Sequence, residues 1–190
     1  MLLTALDPVT ALIVIDLQKG IVDYPVIHPL PEIVDRAREL IDAFRAESLP
    51  VVLVNVAGRA PGRTEQGPRS TQTFAEGWTD LLPELEQRPS DLIVTKRSWG
   101  AFATTDLEDQ LKAKGVTQVV VTGVATSGGV EATARQAYEQ GFHVTLALDA
   151  MTDASVEAHE YSTRKIFPRL GETGTTQEIL SLLKRRSVTP

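Results

Sequence analysis

No cysteine occurs anywhere in the 190 residues. That absence excludes disulfides, thiolate metal sites and a thiol nucleophile. Histidine is scarce too. His28, His143 and His159 lie far apart in sequence and lack the spacing of a metal-ligand set. There is no basic excess, because the net charge is −6, and the electrostatic footprint of a nucleic-acid-binding domain is therefore missing. Long apolar runs are absent as well. Ala11 to Ile15 stops at Asp16, well short of the roughly 20 residues that cross a bilayer. Met1 to Pro8 has neither the basic start nor the apolar length of a signal peptide. The expectation is a cytoplasmic protein with a small-molecule substrate, no cofactor, and neither membrane nor nucleic acid as partner.

The composition that remains is ordinary for a globular chain, 42% apolar and 23% charged. One domain spanning residues 1–190, with a single substantial core, is expected. Strand-like runs alternate with helix-like segments. Ala11 to Ile15, Val51 to Val54, Leu92 to Val94, Val116 to Val121 and Val144 to Leu148 read as buried strands, with a further short strand near Glu172-Thr173. Helical spacing runs over Leu30 to Ser48, where Pro31 sits in the opening turn. It recurs over Asp106 to Lys114, closed by Gly115, and over Val130 to Gln140, closed by Gly141. Ser155 to Phe167 is expected to end at Pro168, and Thr176 to Lys184 forms the last helix. The alternation predicts a three-layer α/β/α fold around a six-stranded, mostly parallel sheet. The long irregular segment Ala57 to Gln87 carries Arg59, Arg63 and Arg69. It reads either as a functional lid, with arginines that recognise a carboxylate, or as a solvated excursion.

In an open parallel sheet, ligands bind beyond the carboxyl ends of the strands. That rule selects Asp16 after the first strand, Lys96 at the end of the third, and the turn Thr126-Ser127-Gly128-Gly129 after the fourth. A carboxylate and an ammonium over one crevice can hold each other ionised and share protons. Any one of these residues alone would read as a cap or a loop hydrogen bond. Their convergence on one edge is what points to a site.

The segments Val14-Ile15-Asp16-Leu17-Gln18, Thr95-Lys96-Arg97-Ser98-Trp99-Gly100-Ala101-Phe102 and Thr122 through Ala134, with Asp149-Ala150-Met151 further on, are similar to those of a known family. The chain resembles the isochorismatase-like hydrolases, also called the cysteine hydrolase superfamily, over nearly its whole length. The resemblance implies Asp16 as acid/base, Lys96 as its charge partner, and Gly129 at the place of the usual nucleophilic cysteine. It also implies a non-proline cis peptide between Val124 and Ala125. In amidase members, backbone N–H groups at the positions of Ala125 and Gly129 form an oxyanion hole. A homodimer or homotetramer is expected by the same analogy. Metal-binding members carry Asp and His where this chain has Asn55-Val56-Ala57, so no catalytic metal is expected.

Glycine cannot attack a carbonyl, so a thioester mechanism is excluded at position 129. True isochorismatases also lack the cysteine and cleave a vinyl ether by protonating carbon. On that analogy Asp16 donates the proton, Lys96 orients it, and water captures the cation. Those enzymes, however, have Tyr at the position of Ala125 and Trp-Arg-Tyr-Ser where this chain has Arg97 to Gly100, and no carrier-like second domain is expected here. A non-catalytic binder and an amide hydrolase that activates water remain as alternatives. Gln18, Trp99, Phe102, Ala125, Thr126 and Ser127 are the candidate substrate-binding residues. Core packing competes for Phe102, loop support for Gln18, and a turn role for Ser127. Glu131 reads as a carboxylate facing a helix dipole.

Overall fold

The computed structural model describes residues 3–65 and 74–186. Six parallel strands form one sheet in the order β3-β2-β1-β4-β5-β6. They are β1 (Thr10–Ile15), β2 (Val51–Val56), β3 (Leu92–Lys96), β4 (Gln118–Val124), β5 (His143–Thr152) and β6 (Glu172–Gly174). The helices are α1 (Leu30–Ala46), α2 (Leu107–Ala113), α3 (Glu131–Glu139), α4 (Val156–Tyr161), α5 (Phe167–Leu170) and α6 (Thr176–Arg186). This is the three-layer arrangement that the strand–helix alternation predicts.

The period-2 geometry of a strand sends alternate residues to opposite faces, so a strand covered on both sides must be apolar throughout. β1 shows this plainly. Ala11, Ile13 and Ile15 join a core with Leu107 and Leu111 of α2, Ala134 and Ala137 of α3, and Phe167 of α5. Leu12 and Val14 join the other core, built on α1 (Ile33, Ala37, Leu40, Ile41, Phe44) with Ile179 and Leu183 of α6. Pro31 lies in the first turn of α1, where its missing N–H costs nothing.

Two elements depart from the sequence expectation. β5 runs on to Thr152, four residues past Leu148, because a register shift between Val121 and Gly123 lets its second half pair with the end of β4. Pro168 does not end its helix. A wide π-type turn over Ser162–Ile166 resets the helix, and Pro168 then falls in the first turn of α5, where no N–H is required. Among the described residues, no helix is long and apolar enough to cross a membrane.

β1 and β4 pair directly, Ile15 opposite Gly123. Gly123 has φ +115, and a Cβ there would lie 2.1 Å from the Ile15 carbonyl oxygen. Only glycine fits. Gly123→Ala is expected to destabilise the fold by about 3 kcal/mol or more, since both the backbone conformation and the strand approach oppose a side chain. Urea denaturation followed by circular dichroism measures this, and an unchanged midpoint would contradict it.

Candidate active site

The strand order reverses direction between β1 and β4, so the crevice beyond their carboxyl ends is the topological switch point of the sheet. Asp16 follows β1 immediately. Its φ of 53° is in the left-handed region, uncommon for any residue but glycine, though Asp tolerates it better than most. Its N–H donates to the Val54 carbonyl and its carbonyl accepts from the Gln18 N–H, both at 2.9 Å, so the backbone is held on both sides. Lys96 ends β3, two strands away, and is paired with Val56 in the sheet register. Its long stem reaches past the end of β2, and Nζ donates to Asp16 Oδ2 at 2.7 Å. The side chains are 1% (Lys96) and 9% (Asp16) exposed, so the pair is screened little by solvent.

Burial pushes the Asp16 carboxyl up to about 6, and the Lys96 charge and hydrogen bond only partly oppose that rise. Asp16 Oδ1 is buried and has no hydrogen-bond partner among the described residues. The result is a carboxyl whose proton is exchangeable near neutral pH, the property required of an acid/base group.

The third part is the turn after β4. The Val124–Ala125 peptide is cis. The Ala125 carbonyl accepts from the N–H groups of Gly128 and Val130, at 3.0 and 3.1 Å, which closes a π-type turn over Thr126–Val130. Gly129 faces the ion pair, for a Cβ at this position would lie 3.2 Å from Asp16 Oδ2 and 3.3 Å from Lys96 Nζ. The structure therefore brings Asp16, Lys96 and Gly129 together from three separate stretches of chain.

A relay that sequence reasoning missed joins two of these stretches. Thr133 Oγ1 donates to the Gly129 carbonyl at 2.7 Å and accepts from the Ala101 N–H at 3.1 Å. Gln136 Oε1 accepts from the Phe102 N–H at 3.0 Å. The loop after Lys96 and the turn holding Gly129 are thereby fixed to the same face of α3. Thr133 stands one turn after Gly129, a spacing that permits a hydroxyl–carbonyl bond in any helix and so carried no distinct signal.

Several expected contact residues have other occupations. Phe102 packs in the core, its ring 5.9 Å from that of Phe142. Gln18 is fully buried. Its Oε1 accepts from the Val56 N–H at 2.7 Å, and its Nε2 donates to the carbonyls of Val56 and Trp78. It is a clamp between β2 and the loop at Trp78. Ser127 does not bond to its own backbone. Its N–H and Oγ both donate to Asp153 Oδ2 at 2.7 Å. Asp153 itself was missed. It follows β5 as Asp16 follows β1, and a correct end for β5 would have revealed it. Thr126 Oγ1 lies 2.9 Å from His159 Nδ1. The fold brings His159 and His28 together, ring centroids 5.0 Å apart, despite their separation in sequence. Desolvation is the main reason that His159 titrates below its usual value. Glu131 ties Arg135 and Ser162.

Trp99 is 63% exposed. Arg59 and Arg63 are exposed, and Arg69 lies outside the described residues. The later part of the long segment is anchored beside the site. Lys19, Gly20 and Leu82 N–H groups donate to Asp80, Trp78 and Leu17 carbonyls respectively. Among the described residues, no group of three or more His, Asp or Glu side chains could hold a metal ion.

The family model for the isochorismatase domain matches residues 10–178. The isochorismatase family protein YwoC of Bacillus subtilis is 40% identical over 181 residues, covering 92% of this chain and 94% of its own length. Nicotinamidase 3 of Arabidopsis thaliana is 30% identical over 160 residues, covering 80% and 77%. The solved structure of an isochorismatase family protein from Burkholderia thailandensis is 38% identical, with a TM-score of 0.89 over 95% of this chain and 98% of that one. Sequence match, chain coverage and superposed fold agree with the geometry at the switch point, and the chain belongs to the isochorismatase family of hydrolases.

Proposed function

We propose that this protein hydrolyses a small molecule by proton transfer through Asp16, with Lys96 as its charge partner and no covalent enzyme intermediate. The observation that carries the reading is the buried 2.7 Å Lys96–Asp16 bond set against a residue without a side chain. A buried carboxyl with a cationic partner supports proton transfer, and position 129 offers no side-chain atom to form an acyl-enzyme. The substrate class that fits first is a vinyl ether. Asp16 protonates its terminal carbon, the Lys96 ammonium stabilises the carboxylate left behind, and water adds to the resulting cation. Trp99, Ala125 and Thr126 are the residues expected to border the substrate. The relationship to a nicotinamidase supports testing amides beside vinyl ethers. There Asp16 would act in the opposite direction, taking a proton from water.

A panel of small enol ethers and small amides, nicotinamide included, tests the assignment. Asp16→Asn is expected to lower kcat by at least about 1,000-fold on any compound the wild type turns over, the range for loss of a positioned acid/base group. A variant that retains the wild-type rate rules out the role. Binding without turnover of any compound, read as thermal stabilisation by ligand, would indicate a pocket that has lost its chemistry.

The direction of proton transfer shows in the pH dependence. Asp16 titrates near 6. If it donates a proton, kcat/KM is flat below that pH and falls tenfold per unit above it. If it accepts one, kcat/KM rises through the same pH to a plateau. The vinyl-ether reading expects the falling limb, and a rising limb on the same enzyme assigns water activation instead.

A further inference from the structure

We propose that Thr133 is a positioning residue for this site, its one hydroxyl setting the spacing between the wall that carries Lys96 and the wall that carries Gly129. The inference rests on the acid/base reading above and extends it to a side chain outside the ion pair. Thr133 is fully buried in α3. A threonine hydroxyl has one proton and two lone pairs. The proton goes to the Gly129 carbonyl at 2.7 Å, and a lone pair takes the Ala101 N–H at 3.1 Å. The first bond alone would be ordinary, because a helical threonine often returns its hydroxyl to the carbonyl four residues before it. The second is not local. Ala101 lies 32 residues earlier, in the loop that follows Lys96. It is fully buried too, so its N–H depends on that acceptor.

The loop at Ala101 bears on Lys96. Nζ donates to Asp16 Oδ2 at 2.7 Å and, at a longer 3.4 Å, to the Ser98 carbonyl. Ser98 Oγ donates to the Gly100 carbonyl at 3.1 Å, and Ala101 comes next. The loop lies hard against α3. A Cβ at Gly100 would be 2.2 Å from Gln136 Oε1, the atom that accepts the Phe102 N–H. The second acceptor of the ammonium is therefore pinned to α3 close by in the chain. Gly129, on the opposite wall, is the residue whose Cβ would lie 3.2 Å from Asp16 Oδ2 and 3.3 Å from Lys96 Nζ. Both walls meet at one oxygen.

The consequence of removing that oxygen has a sign. Thr133→Val keeps the shape of the side chain and leaves the Ala101 N–H buried without an acceptor. Such a group is costly, and the loop moves outward to satisfy it in water. Ser98 moves with the loop. Lys96 Nζ, which spans Ser98 and Asp16, is drawn from the carboxylate. The Lys96 charge and hydrogen bond are what hold Asp16 down against its burial, so Asp16 rises further.

The test compares wild type, Thr133→Val and Thr133→Ser. Carbon NMR of the labelled Asp16 carboxyl should show it titrating about half a unit or more higher in Thr133→Val and near its wild-type value in Thr133→Ser, which keeps the hydroxyl. On a compound from the enol-ether and amide panel that the wild type turns over, Thr133→Val should lose about tenfold or more in kcat with KM little changed. Thr133→Ser should recover most of that loss. A lower urea midpoint alone is not support, since any buried threonine would give it. An Asp16 titration in Thr133→Val that is unmoved or lowered overturns the proposal. So does turnover within about twofold of wild type, or a serine variant as impaired as the valine one. Should Thr133→Val fail to fold, Gln136→Met releases the neighbouring Phe102 N–H of the same loop, and it should raise Asp16 in the same direction. An unmoved Asp16 there overturns the proposal as well. The titration is read without substrate, so it decides the role of Thr133 even if Asp16→Asn retains activity and the acid/base reading falls.

Discussion

The burial of an aspartate against a lysine at the mouth of the sheet is the constraint around which this molecule is arranged. Taking two charges out of water is costly, and mutual attraction repays it only with close geometry. Here it does so incompletely, as the upward shift of Asp16 to about 6 shows. The sign matters. A carboxyl whose folded value lies above its unfolded value favours the folded state at pH below roughly 4 and loses that contribution as pH rises through about 6. At neutral pH the charged Asp16 therefore opposes folding, by an amount on the order of a few kcal/mol. The two hydrophobic layers stabilise the sheet enough to carry it.

Topology explains how such a pair is assembled. Neighbouring strands lie about 5 Å apart, so β1 and β3 are separated by about 10 Å across β2. A residue at the end of β3 reaches the end of β1 only with a long side chain, and lysine has one. Asp16, on the near side, turns sharply out of the strand with φ 53° while its N–H stays bonded to Val54. Gly129 comes from the opposite flank, after β4. The short sequence motifs are thus three sides of one crevice, and the parallel order of the strands brings them together.

Much of this was legible in the sequence because it depends on local pattern. Continuous apolar runs mark strands buried on both faces, and polar residues at their carboxyl ends mark the candidate site. The elements that escaped depend on partners distant in sequence. Gln18 admits a pocket role or loop support from its sequence position, and only the fold shows its amide tied to Val56 and Trp78. Phe102 follows a lysine motif but meets Phe142 in the core. Pro168 looks like a stop, yet the wide turn before it makes its missing N–H harmless. Asp153 was hidden by a strand end placed four residues early at a register shift. Each of these placements is set by tertiary contacts that a local pattern does not display.

The turn at Gly129 is tied from several sides. Glycine is the residue with the most conformational freedom to lose, and a site that depends on one must restrain it from outside. Thr133 holds its carbonyl, Asp153 holds Ser127 two residues earlier, and His159 holds Thr126. These anchors come from α3, from the end of β5 and from α4. Position 129 is therefore fixed by three independent parts of the fold although it carries no side chain of its own. A shift of about 1 Å in this turn would move Gly129 away from Asp16 and Lys96, a displacement large enough to impair the proposed proton transfer. Such restraint is out of proportion to the needs of a surface turn. It fits the proposed acid/base chemistry, in which the reacting atom is not covalently attached to the protein and has to be positioned by the walls around it.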